Sequence, residues 1–384
     1  MTEMTSRERV LAALNHQEPD RVPLDLGGGS STTVLVEGYE SLKRHLNNTT
    51  DTKVMSELFR LVWIDESVMR QLGSDFRPLA TREPANWTPP PTEPSTFIDI
   101  WGITWKKVAY GDNSYYWDMV EHPLANTSIE DLEGYPWPDP LDQGYYTGLA
   151  EEAEALYEET DYAIIASCGF SSFWELAYML RGLEQTLMDL LLNPDYITAL
   201  MTKLLEINMI ATDHFLNIVA PYIQVFRAAD DLATQRGPLM SPETFRALLK
   251  PVYTKYFDMV KSKTDAKIFF HSCGNVVNLI DDLIDVGVDA LNPVQVSAMG
   301  DTAVLKDRFG QKITFWGGID TQHILPNGSV KDVEQEVQQR IRDLASGGGY
   351  VLASVHNIQP DVPPENIVAM AKAAAKYGIY PISK

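Results

Sequence analysis

The chain has 384 residues, a formal net charge of -22, two cysteines, and a composition that is 45% hydrophobic and 22% charged, without a low-complexity tract. So acidic a surface repels phosphate backbones and anionic headgroups, which argues against nucleic acid and membrane as partners, and no stretch approaches the ~20 consecutive apolar residues a membrane span needs. Two cysteines make no disulfide framework, and with a charged N-terminus they point to a reducing, cytoplasmic setting.

Taken in chain order, Thr5 and Glu8 stand at capping-box spacing ahead of Val10, Leu11 and Leu14, which predicts a helix ending near His16. Residues 22–26 read as a short strand running into Gly27-Gly28-Gly29. That triplet lacks GxGxxG spacing and a following Lys-Ser/Thr, so it reads as a flexible loop and not a phosphate cradle. Residues 84–140 are rich in Pro, Trp and Tyr, and the alternation from Ile103 to Val108 predicts a β-hairpin. This stretch is expected to cap one end of a single domain spanning 1–384. Thereafter short apolar runs at 162–167, 222–228, 267–271, 290–293, 313–317 and 350–355 alternate with amphipathic helices. Helix starts are marked at Ser241-Pro242-Glu243 and at Ser329, whose helix repeats Val330, Val333, Val337, Ile341 and Leu344 and stops at Gly347-Gly348-Gly349. The pattern predicts a closed (β/α)8 barrel of the TIM type with an N-terminal extension.

The sharpest local signal is Phe269-Phe270-His271-Ser272-Cys273-Gly274-Asn275, an apolar strand ending in two metal-capable side chains at i and i+2. Strand alternation puts both on one face, at the barrel mouth where such enzymes keep their chemistry. On its own the pair equally describes a His and a Cys that fill the barrel. The run from Tyr350 to Val355 closes on His356 at the same mouth, and two imidazoles with one thiolate suit a zinc ion with an open position. Asp230 and Asp231 follow a third strand; they can serve as acid and base, hold a cation or substrate, or cap the next turn. Cys168 ends another strand and reads as a small buried hydrophobe, with a fourth-ligand role as the alternative.

Five stretches resemble the uroporphyrinogen decarboxylase superfamily: 6–23 (SRERVLAALNHQEPDRVP), 230–245 (DDLATQRGPLMSPETF), 271–275 (HSCGN), 316–320 (WGGID) and 347–367 (GGGYVLASVHNIQPDVPPENI). Within it the chain looks like the corrinoid-dependent methyltransferase branch. The resemblance implies a (β/α)8 barrel. The decarboxylases carry an Arg-rich segment after the first strand, whereas Leu24-Asp25-Leu26-Gly27-Gly28-Gly29-Ser30 holds no arginine. Asp65 lies near the place of their catalytic Asp, in surroundings that match poorly. The methyltransferase branch implies zinc on His271, Cys273 and a third ligand, at which His356 stands where the coenzyme-M enzymes often have Cys.

With one sulfur in place of two, the site suits polarising an oxygen leaving group more than activating a thiol. The expectation is a methyltransferase that demethylates a methyl ether, an aryl one above all, and passes the methyl to Co(I) of a separate corrinoid protein. Asp230 or Asp231 would orient substrate or supply a proton. Trp101, Tyr115, Tyr116, Trp117, Phe173, Trp174, Phe226, Gln235 and Trp316 would form the substrate pocket, although each aromatic taken singly reads first as an ordinary core or capping-hairpin residue. Alternatives are methyl transfer from methylcobamide to a thiol or folate, a metal-free decarboxylase, and a non-catalytic corrinoid- or metal-binding protein. A homodimer is compatible with the sequence.

Overall fold

Buried on both faces, the short apolar runs of the chain have one way to satisfy their backbone: lateral pairing inside a shell of helices. In the computed structural model, which describes residues 3–110 and 114–382, seven strands do this. They are β1 (Phe76–Ala80), β2 (Ala163–Ser167), β3 (Val225–Ala229), β4 (Lys267–His271), β5 (Ala290–Asn292), β6 (Thr314–Ile319) and β7 (Tyr350–Ser354). They pair in chain order, each parallel to the next. The seam between β7 and β1 is closed by the segment around Leu24, which forms a parallel bridge to Leu352 and passes its carbonyl to the Asp75 amide. The result is a barrel of the TIM type.

Two strand expectations change. The segment at 22–26 makes one bridge and no ladder, because Pro23 has no N–H and Asp25 turns its carboxylate to Gly28 and Trp316. Conversely, β1 was not anticipated, since Pro78 lies inside it. Its place at the end of the continuous sheet tolerates a missing ladder donor. The Gly27-Gly28-Gly29 turn is not loose either. All three are buried; Gly27 N–H donates to Thr32 and Gly28 N–H to Asp25 Oδ1. A Cβ on Gly28 would come within 2.8 Å of Phe76 and Ile165 side chains.

The first helix, Ser6–Leu14, has the expected capping box between Thr5 and Glu8. Its Val10 and Leu14 join Phe76, Ile165, Val225, Phe269, Trp316 and Val351 in the barrel interior, filling the floor. Around this floor Asp75 is held by Arg9 and Arg21. On the outside, the helix Val330–Leu344 is capped by Ser329 and buries Val333, Val337, Ile341 and Leu344. The stretch at 84–140 contributes an antiparallel sheet of three strands, Thr96–Ile98, Thr104–Tyr110 and Ser114–Glu121, one more than a hairpin. No helix among the described residues is long and apolar enough to cross a membrane.

Candidate metal centre and the adjoining cavity

Strand β4 ends in His271, in register with Ala229 on β3 and Asn292 on β5. Its Nδ1 lies 2.5 Å from Asn292 Oδ1, and Asn292 Nδ2 in turn donates to the Trp316 carbonyl at 3.1 Å. An oxygen acceptor fixes the proton on Nδ1 and leaves the Nε2 lone pair free. Burial pushes the His271 pKa down to about 4, so the ring is neutral at pH 7. The chain then turns through Ser272, whose hydroxyl accepts the Leu232 N–H, to Cys273, whose own amide donates to Asp231 Oδ1 at 2.8 Å. Gly274 is needed here. Its φ is +88°, and a Cβ would meet the Ala233 and Thr234 carbonyls at 2.6 Å.

Cys273 Sγ stands 3.4 Å from His271 Nε2, and His356, two residues beyond β7, completes a group whose ligand atoms all lie within 4.8 Å of one another. Metal–nitrogen and metal–sulfur bonds of about 2.0 and 2.3 Å at a tetrahedral angle set N and S about 3.5 Å apart. Donor types, neutral imidazoles and spacing therefore fit zinc. Burial first, then the Asp231 and Glu175 carboxylates, push the Cys273 thiol pKa far up. Cys168 is outside this group; it is buried at the end of β2, with its thiol pushed up to about 11 by burial.

Two cavities open in this part of the barrel, the first of them against the triad. One, of about 330 Å³, is lined by Cys273, His356, Gln235, Gln295 and Gln322 among others. The second, about 310 Å³, opens beside β1, β2 and β3. Trp63, Met55, Pro78 and Cys168 give it an apolar wall, and Ser30, Ser171, Glu175 and Arg227 a polar one. Glu175 is half-buried there. Burial first, then the Asp231 and Asp230 carboxylates, raise its pKa to about 8, so it carries a proton at pH 7.

The expected site residues separate in the structure. Asp231 and Gln235 stay with the triad. Asp230 does not reach a substrate: fully buried, it accepts from the Phe173, Trp174 and Glu175 amides, the Ser172 hydroxyl and the Tyr253 hydroxyl. Its two oxygens are thus occupied as a cap on the helix Trp174–Arg181, far back in the chain, and not on the turn that follows Asp230. Phe173, Trp174, Phe226 and Trp316 are at most 1% exposed and belong to the core. Trp316 donates to Asp25 inside the barrel. Trp101 packs its ring against Phe170, while Tyr116 is 49% exposed on the antiparallel sheet, whose Trp117 packs on Phe97 and whose Tyr115 stacks under Arg60. Asp65 accepts from the Tyr39 and Thr50 hydroxyls, away from both cavities. Glu175, Arg227, Asn292 and Trp63 were not anticipated, although an Arg within the apolar run of β3 is a signal, since an unpaired charge there is costly.

A family profile described as "Uroporphyrinogen decarboxylase (URO-D)" matches residues 107–377. The chain is 30% identical over 181 residues to a protein of Methanosarcina barkeri described as "Methylcobamide:CoM methyltransferase MtaA", covering 47% of this chain and 50% of that one. It is 24% identical over 270 residues to a "Uroporphyrinogen decarboxylase" of Alkalilimnicola ehrlichii, covering 66% and 68%. The chain thus spans about half the length of the methyltransferase relatives it matches. A solved "methyltransferase from Methanosarcina mazei" shares the fold over 98% of this chain and 99% of its own, with a TM-score of 0.68 at 21% identity.

Proposed function

Since the chain belongs to the uroporphyrinogen decarboxylase family, and its barrel mouth carries a His/Cys/His group beside a cavity of small-molecule size, we propose that it is a zinc-dependent, corrinoid-linked methyltransferase. In this reading it demethylates a methyl ether, an aryl one above all, and the methyl passes to Co(I) of a separate corrinoid protein. The observation that carries the reading is the triad of His271, Cys273 and His356, with ligand atoms within 4.8 Å of one another. Zinc held there would supply Lewis acidity toward an ether oxygen.

The chain's own residues supply the rest. Asn292 holds the His271 ring in the tautomer that offers Nε2. Asp231 fixes the Cys273 backbone and places negative charge beside the ligands. When the methyl leaves, the remaining aryl oxygen needs a proton to depart as a phenol. Glu175, protonated at pH 7 and lining the cavity, is the donor we assign, in place of Asp230. Trp63, Met55 and Pro78 give the ring an apolar wall. We further take 1–384 as one barrel domain with 84–140 as its cap, since Trp101 of that stretch packs on Phe170 just beyond β2.

A second reading, methyl transfer from methylcobamide to a thiol, follows the activity for which the M. barkeri relative is named. Zinc analysis after dialysis, followed by incubation with methoxylated aromatics and free Co(I)-cobalamin, decides between them. About one zinc per chain and methylcobalamin formation are expected, both lost in Cys273→Ala. Methylation of a thiol from methylcobalamin, with no ether cleavage, would establish the second reading. Zinc-free wild-type protein, or full turnover by Cys273→Ala, would overturn both.

A further inference from the structure

The cavity of about 310 Å³ is lined by a cation, Arg227, that forms no ion pair with an acid among the described residues. Arg227 lies on β3, two residues before Ala229, whose register partner is His271. Alternation along the strand puts Arg227 and Ala229 on the same face, and both line this cavity. Arg227 therefore sits one pleat repeat, about 6.6 Å, deeper in the barrel than the metal-ligand level.

Among the described residues its guanidinium makes one hydrogen bond, from Nη2 to Ser31 Oγ at 2.7 Å. Its Nε is buried without an acceptor. Among the described residues no carboxylate comes within ion-pair distance of it; Glu175, on the same cavity wall, and Asp231 act on its charge only from further away. Burial lowers its pKa only to about 10, so it keeps its charge at pH 7. A charged, fork-shaped donor with free N–H groups, enclosed in a protein of net charge -22, is costly unless a ligand completes it. The surrounding chain leaves it room. Gly29, at the Arg-free turn after the first strand segment, borders the Arg227 stem: a Cβ there would lie 3.5 Å from Arg227 Cδ, an ordinary van der Waals contact.

The geometry points to Arg227 as the receptor for an anionic group of the substrate, a carboxylate on a small aromatic acid. The guanidinium fork matches a carboxylate in plane, and Ser30 and Ser171 offer hydroxyls at the cavity wall. Trp63, Met55 and Pro78 provide apolar surface for the ring. The ring's other end then extends from Arg227 up toward the level of His271. This deepens the methyl-ether reading by naming its substrate class as methoxylated aromatic acids, and it rests on that reading for the methoxy group alone.

The test is calorimetric titration of the purified full-length chain with benzoate and 4-methoxybenzoate, against the neutral benzyl alcohol and 4-methoxybenzyl alcohol. Wild type is expected to bind each acid at least about tenfold more tightly than its alcohol. Arg227→Met should erase that preference, lowering acid affinity about tenfold or more and leaving alcohol affinity within about twofold. Arg227→Lys should restore part of it, and Ser31→Ala, which keeps the charge and loosens its anchor, should fall between. Circular dichroism and thermal melting confirm that each variant is folded. Equal affinity of wild type and a folded Arg227→Met for the acids overturns the assignment, as does the absence of saturable acid binding to wild type. Arg227-dependent binding of 4-methoxybenzoate without its demethylation would sink the methyl-ether reading and leave the anion site standing. Demethylation of the neutral ether with no acid preference would do the reverse.

Discussion

At the scale of single residues, the members of the His/Cys/His group were legible in the sequence and the residues around them were not. His271 and Cys273 stand out because an apolar strand ends on two metal-capable side chains at alternating spacing, and His356 because a second strand ends likewise. Asn292, Glu175 and Arg227 acquire their meaning only across the barrel, from partners far away in the chain. The support around His271 is itself testable. Asn292→Leu removes the acceptor that fixes the Nδ1 proton and leaves the Trp316 carbonyl without its donor. Zinc affinity, read by competition with a chromophoric chelator, should fall by 10- to 100-fold, the usual effect of losing a residue that orients a metal ligand. An unchanged affinity would mean that the ring is held by packing alone.

At the scale of elements, the strands from 267 onward were visible from hydrophobic runs, and their observed bounds differ by a residue or two at most. The strand Phe76–Ala80 was hidden by its internal Arg and Pro. The short run at 22–26 looked like a strand and forms only a bridge. Backbone pairing depends on which neighbour lies alongside, and local propensity carries no record of it. The same holds for Asp230. In sequence it stands in an acidic pair after a strand; in space it meets the N-terminus of the helix Trp174–Arg181, where it takes up three backbone amides. Asp230→Ala leaves several buried donors unmet, so chemical denaturation should show a loss of about 2 kcal/mol or more. A loss below about 0.5 kcal/mol would show that water replaces the carboxylate fully. Gly274→Ala belongs to the same scale. Its Cβ would press on two carbonyls of the Ala233–Thr234 strand at 2.6 Å, and strain at that turn should displace Cys273 and reduce metal content along with thermal stability. Unaltered metal content in that variant would refute the strained-turn account.

At the scale of the whole molecule, the class of fold followed from the alternation of apolar runs and helices, but the charge layout of the interior did not follow from a net charge of -22. The enclosed Glu175 links that layout to pH. Its pKa rises from 4.5 in an unfolded chain to about 8 in the barrel. Between these values the folded state holds a proton that the unfolded state has released, so folding takes up a proton and stability declines as pH rises from about 4.5 to about 8. Below that window Glu175 is protonated in both states and contributes no slope. Glu175→Gln should flatten this part of the stability–pH curve relative to wild type, measured by denaturant melts at a series of pH values. Parallel curves for the two proteins would show that Glu175 titrates normally.

The barrel's seam has a further consequence for how the metal group is assembled. Two of its three members, His271 at the end of a strand in the middle of the chain and Cys273 just beyond it, come early, while the third follows the last strand, Tyr350–Ser354, which is also the strand that meets Leu24 and shuts the ring. A nascent chain emerging from the ribosome therefore carries an open, two-pronged site until its final stave arrives, and that stave delivers the third prong and the closing contact in one event. In the zinc reading proposed above, ion capture would coincide with closure of the barrel.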